Sequence, residues 1–110
     1  FSHTGPLIKP PTRVAYGTPA WHLYPVRMNF DRLNSDKAKV MRRLADAGIG
    51  TQVHYIPVCD QPYYRDRYGQ CDLPGARAYY AHALSIPIFP DMTDEDVDRV
   101  VRELSKMADI

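Results

Sequence analysis

The sequence predicts an α+β domain with two layers, in which a short and mainly antiparallel sheet is packed by helices. Three observations favour this class. The chain has 110 residues, which suits one small domain with a single core. Two stretches carry the apolar spacing of amphipathic helices. Three short runs of strand-forming residues are bounded or interrupted by prolines, which keeps the strands short.

Residues 1–19 are expected to form a linker or arm, and residues 20–110 the folded small domain. Four prolines disfavour both a helix and a central strand in the arm: Pro6, Pro10, Pro11 and Pro19. Because the chain begins at Phe1 and not at a methionine, we expect a fragment whose first residues are partly vector-derived.

The first predicted strand covers residues 20–30, where Pro25 favours an edge position or a bulge. A helix follows, with Asn34 or Ser35 as its expected N-cap. Gly48 is expected to end this helix in a left-handed conformation. The apolar stripe of the helix consists of Val40, Met41, Leu44 and Ala45.

The second predicted strand covers residues 51–56. Successive side chains of a regular strand point to opposite faces, so His54 and Tyr55 cannot both face the core. Pro57 stiffens the exit from this strand, and an imidazole beside a phenol on a stiff segment is typical of a ligand site. The alternative is a histidine satisfied by the backbone beside a packed tyrosine. The expected ligand-binding residues are His54, Tyr55, Pro57 and Gln61.

The second half of the chain predicts a short helix over 62–68, a second helix that starts at Leu73 and ends near Ala83, and a strand over 84–90. The last helix is the clearest, because Thr93 and Asp96 resemble a capping box. Its apolar positions recur at helical spacing: Val97, Val100, Val101, Leu104, Met107 and Ala108.

Composition excludes several classes of function. The net charge of +1 does not favour binding to nucleic acid or to an anionic membrane. No apolar run approaches the ~20 residues of a membrane span. The tyrosines of residues 63–80 are expected to fill core more than to stack on bases. Cys59 and Cys71 are expected to be free thiols in the cytosol, with a disulfide left open. No zinc spacing is present, so no metal ligand or catalytic residue is assigned.

Five blocks of the sequence resemble the C-terminal region of the DegT/DnrJ/EryC1/StrS sugar aminotransferases. They are GIGTQVHYIPV (48–58), QPYYR (61–65), LPGA (73–76), LSIPIFP (84–90) and MTDEDV (92–97). The family consists of PLP-dependent enzymes that install an amino group on a nucleotide-linked keto sugar. Within it, the blocks are most similar to the transaminases of pseudaminic acid biosynthesis, which make UDP-4-amino-4,6-dideoxy-N-acetyl-altrosamine.

The resemblance implies that residues 20–110 are the small C-terminal domain of a fold-type I aminotransferase. The PLP lysine is then expected in a larger domain, and this fragment is expected to be inactive alone and to bind no PLP. His54 and Tyr55 would shape the sugar-nucleotide pocket without transferring protons. The parent is expected to be a cytoplasmic homodimer that takes its amino group from glutamate. The lysines of this chain are not expected to be desolvated: Lys9, Lys37, Lys39 and Lys106.

One departure from the family pattern qualifies that resemblance. The family often has a histidine and an apolar residue where this chain has Cys59 and Asp60. This departure indicates a different substrate or drift, and it removes a second histidine from the segment. The other hypothesis from the residues is a free-standing α+β ligand-binding module with its site around His54.

Overall fold

A three-stranded antiparallel sheet organises the part of the chain that the computed structural model describes, residues 5–108. The elements in chain order are a 3-10 turn Gly5–Leu7, β1 Ile8–Lys9, β2 Tyr24–Met28, α1 Lys37–Asp46, a 3-10 turn Val58–Asp60, α2 Pro62–Tyr68, α3 Pro74–His82, β3 Ala83–Ile86 and α4 Asp94–Ala108. The strand order is β1-β2-β3. The predicted α+β class, with a short antiparallel sheet packed by helices, is confirmed.

The two faces of the sheet differ in composition. Val26 pairs with Leu84 and Met28 pairs with Ile8, so these side chains share one face. That face packs against the apolar sides of α1 and α4, where Leu44 and Leu104 are buried. The opposite face carries polar side chains such as those of Arg27 and Ser85, and this face positions the candidate site.

Pro25 lies within β2, the middle strand, where the sequence favoured an edge position. It pairs with Ser85 of β3, whereas β1 reaches only Arg27 and Met28 of β2. At Pro25 the strand therefore has a described neighbour on one side only. Since proline has no N–H to donate, the edge interpretation holds locally although the strand as a whole is central.

The strand predicted over 84–90 is Ala83–Ile86 and ends directly before Pro87. It lies at the edge of the three-stranded sheet, as its flanking prolines indicated. All four of its residues are nevertheless buried, because one face meets the core and the other lies under neighbouring segments.

The strand predicted over 51–56 is wrong in extent. Only Gln52 pairs, through an isolated bridge in which Gln52 and Ser85 exchange both backbone hydrogen bonds. The next bonded pairs of such a ladder would use the N–H groups of Pro87 and Ala83. Pro87 has no N–H, and the N–H of Ala83 already caps α3 by donating to the Tyr79 carbonyl. The ladder therefore stops after one pair.

The stretch predicted as an arm contributes to the domain. Ile8 is buried in the core, and β1 pairs with β2 through Ile8 and Lys9. Residues 10–23 carry no described helix or strand, as the prolines indicated. Residues 1–4 lie outside the described part of the chain, and the boundary at residue 20 stays a prediction.

The N-cap of helix α1 lies one or two residues after the predicted candidates, Ser35 and Asn34. Asp36 is the N-cap, and its carboxylate accepts a hydrogen bond from the Lys39 N–H at 2.7 Å. Carboxylate and hydroxyl groups cap equally well, so the sequence alone could not choose among neighbouring candidates. Gly48 ends the helix with φ of +74°, which confirms the left-handed stop.

Helix α4 begins with the predicted capping box. The Asp96 N–H donates to Thr93 Oγ1 at 3.2 Å, and the Thr93 N–H donates to Asp96 Oδ2 at 3.0 Å. The Asp96 carboxylate accepts hydrogen bonds from the Thr93 N–H and from the Thr93 hydroxyl, and these two bonds hold the pKa of the carboxyl below its usual value. Within the predicted stripe, Val100, Leu104 and Met107 are buried, and Val97 is exposed.

The tyrosines of α2 and α3 contradict the expectation that they fill core. Helix α2 covers the predicted residues 62–68, yet it buries none of its side chains. Four tyrosines here are exposed large side chains: Tyr63, Tyr64, Tyr68 and Tyr79. The prediction failed because both helices lie outside the layer formed by α1 and α4.

Candidate functional site

His54 is held by a single hydrogen bond at the polar face of the sheet. Its Nδ1 lies 2.9 Å from Ser85 Oγ. Ser85 is only 5% exposed and belongs to β3, so its hydroxyl is fixed by the strand. The bridge between Gln52 and Ser85 brings the two segments together two residues earlier. His54 is half-buried as a result, with one ring nitrogen oriented by the fold.

Tyr55 lies beside His54 but faces solvent. Its side chain is 71% exposed. The ring centroids of His54 and Tyr55 are 4.7 Å apart with planes at 87°, an edge-to-face contact. The structure therefore brings these two predicted site residues together, with the imidazole anchored and the phenol presented outward.

Pro57 and Gln61 lie at the two ends of the 3-10 turn that follows the His54 segment. Pro57 is half-buried and is the N-cap of the 3-10 turn Val58–Asp60. Gln61 is the N-cap of α2 without a side-chain cap bond, and its Nε2 donates to the Ile56 carbonyl at 3.4 Å. This weak contact folds the start of α2 back toward the His54 segment.

A cleft of about 170 Å³ opens at His54 and Ser85. Its wall includes His22, Gln52 and Pro87. Two imidazoles, one amide and one hydroxyl can orient a polar ligand by hydrogen bonds. The cleft is small and open, so on its own it is a partial wall for a larger ligand.

Sequence reasoning missed Ser85 and His22. Ser85 is the buried polar residue of the described chain, and its role follows only from the pairing of β3 with Gln52. A serine inside the apolar run over 84–90 was the available signal, because a hydroxyl on a buried strand needs a hydrogen-bond partner. No pattern in the sequence connected His22 to this cleft.

The four lysines of the chain differ in their surroundings. Lys9, Lys39 and Lys106 are exposed. Lys37 differs from the sequence expectation, because partial burial removes water from its ammonium group and lowers its pKa. That ammonium group donates to the Tyr80 carbonyl and lies 4.5 Å from the centre of the Tyr80 ring, so it ties α1 to α3. A Schiff-base lysine has to reach a ligand cavity, whereas the ammonium group of Lys37 is engaged by protein groups.

His54, Cys59 and Cys71 are not part of any cluster of metal-ligating side chains in the described part of the chain. No group of three or more His, Cys, Asp or Glu side chains in residues 5–108 is arranged to hold a metal ion. Both cysteines are free thiols. No helix within the same residues is long and apolar enough to cross a membrane.

Residues 4–105 match the DegT/DnrJ/EryC1/StrS aminotransferase family. The chain belongs to this family. Since the match spans nearly all of the described domain, it covers the His54 segment, Ser85, the helices α1 to α3 and α4 as far as residue 105. The resemblance noted in the short sequence blocks is thereby confirmed at the level of the family.

One relative and two solved structures illustrate the likeness. The spore coat polysaccharide biosynthesis protein SpsC of Bacillus subtilis is 40% identical over 99 residues, which is 84% of this chain and 25% of SpsC. PseC of Helicobacter pylori, an aminotransferase involved in the biosynthesis of pseudoaminic acid, superposes with a TM-score of 0.83 at 24% identity. That superposition covers 94% of this chain and 28% of PseC.

NtdA of Bacillus subtilis, solved with the cofactor PMP bound, has a TM-score of 0.74 at 25% identity over 96% of this chain and 24% of its own. The chain therefore spans about a quarter of the length of the curated relatives it matches. The fold of the small domain is shared, while the other three quarters of those proteins have no counterpart in these 110 residues.

Proposed function

We propose that this chain is the C-terminal part of a PLP-dependent sugar aminotransferase. The parent enzyme transfers an amino group, with glutamate as donor, to a nucleotide-linked 4-keto sugar. The observation that carries the proposal is the family match over residues 4–105. The chemistry that PLP supplies is that of an electron sink, and no residue of this chain takes part in it covalently.

The substrate class is supported by the relatives and by the sequence blocks. SpsC, at 40% identity, belongs to polysaccharide biosynthesis by name, which favours an activated sugar as the acceptor. Within that class we put first the precursor of UDP-4-amino-4,6-dideoxy-N-acetyl-altrosamine, because the blocks around His54 and Leu84 resemble transaminases of the pseudaminic acid pathway. The free-standing binding module loses its support, since the domain is common to proteins about four times its length.

His54, Tyr55, Pro57 and Gln61 form the part of the substrate wall that this chain contributes. Ser85 fixes the His54 ring, so its other nitrogen can bind a polar group of the sugar nucleotide without reorganisation. The exposed Tyr55 phenol adds a second contact, and Pro57 limits the movement of both. These roles bind and orient the substrate, and none of them moves a proton.

The remaining parts of the proposal concern the parent. The lysine that holds PLP lies outside these 110 residues, and the chain alone is inactive. The parent acts as a homodimer in the cytoplasm. The exposed tyrosines of α2 and α3 are consistent with a surface that the rest of the parent covers.

Steady-state kinetics of the natural enzyme that contains this sequence test the assignment. With a UDP-linked 4-keto sugar as acceptor, His54→Asn and Tyr55→Phe are expected to lower kcat/KM about ten- to a hundredfold, mostly through KM, because each removes a substrate hydrogen bond. His82→Asn is the matched control, since His82 Nδ1 donates to the carbonyl of Ala78 within α3. We expect it to leave kcat/KM within about twofold of the natural enzyme.

Two results would contradict the proposal. Unchanged KM in both site variants would remove His54 and Tyr55 from the substrate wall. The loss of one limb of the pH–rate profile in His54→Asn would instead make the imidazole a proton-transfer group.

A further inference from the structure

Two cations face each other on the polar side of the sheet. Lys9 of β1 pairs directly with Arg27 of β2, and both side chains are exposed. Directly opposed residues of an antiparallel pair have Cβ atoms about 4.5–5.5 Å apart, and like charges at such positions destabilise the sheet. Within residues 5–108, neither side chain forms an ion pair with a carboxylate. This pair of cations therefore lacks a counter-charge in the described part of the chain.

A cleft of about 420 Å³ lies between these cations and helix α3. On the helix side it is lined by Gly75, Ala78, Tyr79 and His82, which recur along one face of α3. The cleft stays open because two of these residues are small, and a Cβ atom added at Gly75 would meet nothing within 4 Å. Helix α3 buries none of its side chains, in keeping with this gap beneath it.

The other polar groups of the cleft suit an anion. Asn29 and Tyr79 line it, and each can donate a hydrogen bond, through an amide and a phenol. His82 donates its Nδ1–H to the Ala78 carbonyl at 2.8 Å, so Nε2 is the ring nitrogen that can meet a ligand. None of the described residues that line the cleft is an aspartate or a glutamate. An oxyanion is therefore the ligand that these side chains fit best.

The surroundings of the cleft favour a protein carboxylate as this oxyanion. Tyr79 is one of the exposed tyrosines that we expect the rest of the natural protein to cover. Covering the cleft removes water from Lys9 and Arg27, and a desolvated cation is costly unless an opposite charge pairs with it. A surface that covers the cleft is therefore expected to bring a carboxylate with it.

We propose that an aspartate or glutamate side chain from outside residues 1–110 of the natural protein binds in this cleft, between Lys9, Arg27 and His82. Arg27 can bind a carboxylate through two parallel N–H donors, and Lys9 adds a point charge. The inference rests on the proposed function only in requiring a longer natural protein, since the chain spans about a quarter of the relatives it matches. The contact attaches this domain to the rest of that protein.

Zero-length cross-linking of the natural protein tests the contact. A carbodiimide joins an ammonium group to a touching carboxylate as an amide, with the loss of one water. We expect peptide mass mapping to find Lys9 linked to one aspartate or glutamate outside residues 1–110. Lys106 is the internal positive control, because its Nζ lies 2.6 Å from Glu103 Oε1. Lys9→Arg keeps the charge but offers no amine, so the first cross-link should disappear while the control cross-link persists.

Charge reversal gives an independent measurement by hydrogen exchange of the β2 peptide. Arg27→Glu creates opposite charges at paired positions, so exchange is expected to slow in the 110-residue chain. In the natural protein the introduced carboxylate would face the bound one, and exchange is expected to quicken. Replacing the mapped acid by lysine in the same protein should reverse part of that change. Arg102→Glu is the matched control on α4, where Arg102 is exposed, and its effect should have the same sign in both proteins.

Three results would overturn the proposal. In the first, Lys106 is coupled to Glu103 while Lys9 stays unlinked, as for a cleft that holds a free phosphate or only solvent. In the second, Lys9 is linked to an acid within residues 1–110. The third is a change of the same sign in both proteins for Arg27→Glu. Neither measurement uses PLP or aminotransferase activity, so this contact and the proposed function can each fail while the other holds.

Discussion

The two sides of the sheet are held together by different kinds of contact. One side faces α1 and α4, and the other carries residues 54–82. Leu44, Leu84 and Leu104 are fully buried on the first side. On the second, Tyr55, Tyr63 and Tyr68 are largely exposed. The first side is continuous apolar packing, whereas the second is held by separate polar contacts from His54, Lys37 and Arg77.

This difference in packing indicates that one side of the sheet supplies the stability and the other presents groups for recognition. Burial of apolar area supplies most of the folding free energy of a small domain, so the packed side carries the stability. The polar side presents an imidazole, phenols and thiols at the surface, where they can meet a ligand or reagent. Substitutions on the two sides should therefore differ in the property that they change.

Leu104→Ala is expected to lower the free energy of unfolding by about 2–5 kcal/mol, because it leaves a cavity in the core. Leu73→Ala is the matched control on the other side, where Leu73 is 51% exposed. It should change that free energy by less than about 1 kcal/mol. Urea unfolding followed by circular dichroism measures both values. Equal losses in the two variants would show that the polar side is packed as tightly as the core.

The two helix starts give a second comparison. Thr93→Ala removes the hydroxyl of the capping box at α4 and is expected to cost about 1 kcal/mol of unfolding free energy. Gln61→Ala at the start of α2 should cost less than about 0.5 kcal/mol, because Gln61 makes no side-chain cap bond. The same urea titration serves here. A larger loss for Gln61→Ala would refute the weak attachment of α2.

Ser85→Ala tests the hydroxyl that holds the His54 ring on the polar side. We expect a loss of about 0.5–1.5 kcal/mol of unfolding free energy and broader NMR signals from the His54 ring, because Nδ1 loses its partner. Ser105→Ala is the control, since Ser105 Oγ donates to the Val101 carbonyl within α4. It should leave the His54 signals unchanged. An unaltered His54 ring in Ser85→Ala would show that other contacts position it.

The smallest expected effect is on the stability of the domain at low pH. The hydrogen bonds from Thr93 hold the pKa of Asp96 below its ordinary value of 3.8. Asp96 therefore stabilises the folded state above that value, and this contribution is lost as the pH falls through the lower folded-state pKa. The melting temperature of Asp96→Asn should fall less steeply with acid than that of the unsubstituted chain. Asp98→Asn, which removes an exposed carboxylate without described bonds, should leave the slope unaltered.

The sequence predicted the helices and the class of the fold because their signals are local. The capping box of Thr93 and Asp96, the glycine stop at Gly48 and the proline start of α2 each depend on a few neighbouring residues. The strand over 51–56 failed for a reason that is not local. Its ladder is limited by Pro87 and by the N–H of Ala83, which lie some 30 residues away along the chain.

The candidate site was predictable in part. His54 and Tyr55 could be chosen as polar aromatic residues beside a proline, and the structure places them in ring contact. Ser85 was not chosen, since its contact with His54 arises from pairing between distant segments and the serine within an apolar run is only a weak local signal. The exposure of the tyrosines was also out of reach, because helical spacing alone does not tell which layer of the domain a short helix joins.

The most direct test of the central claim is borohydride reduction of the natural protein that contains this sequence, in the presence of PLP, followed by peptide mass mapping. We expect the reduced cofactor to be fixed to a lysine outside residues 1–110, while this chain alone takes up none. Fixation to Lys9, Lys37, Lys39 or Lys106 would contradict the proposed function, as would a natural protein that binds no PLP.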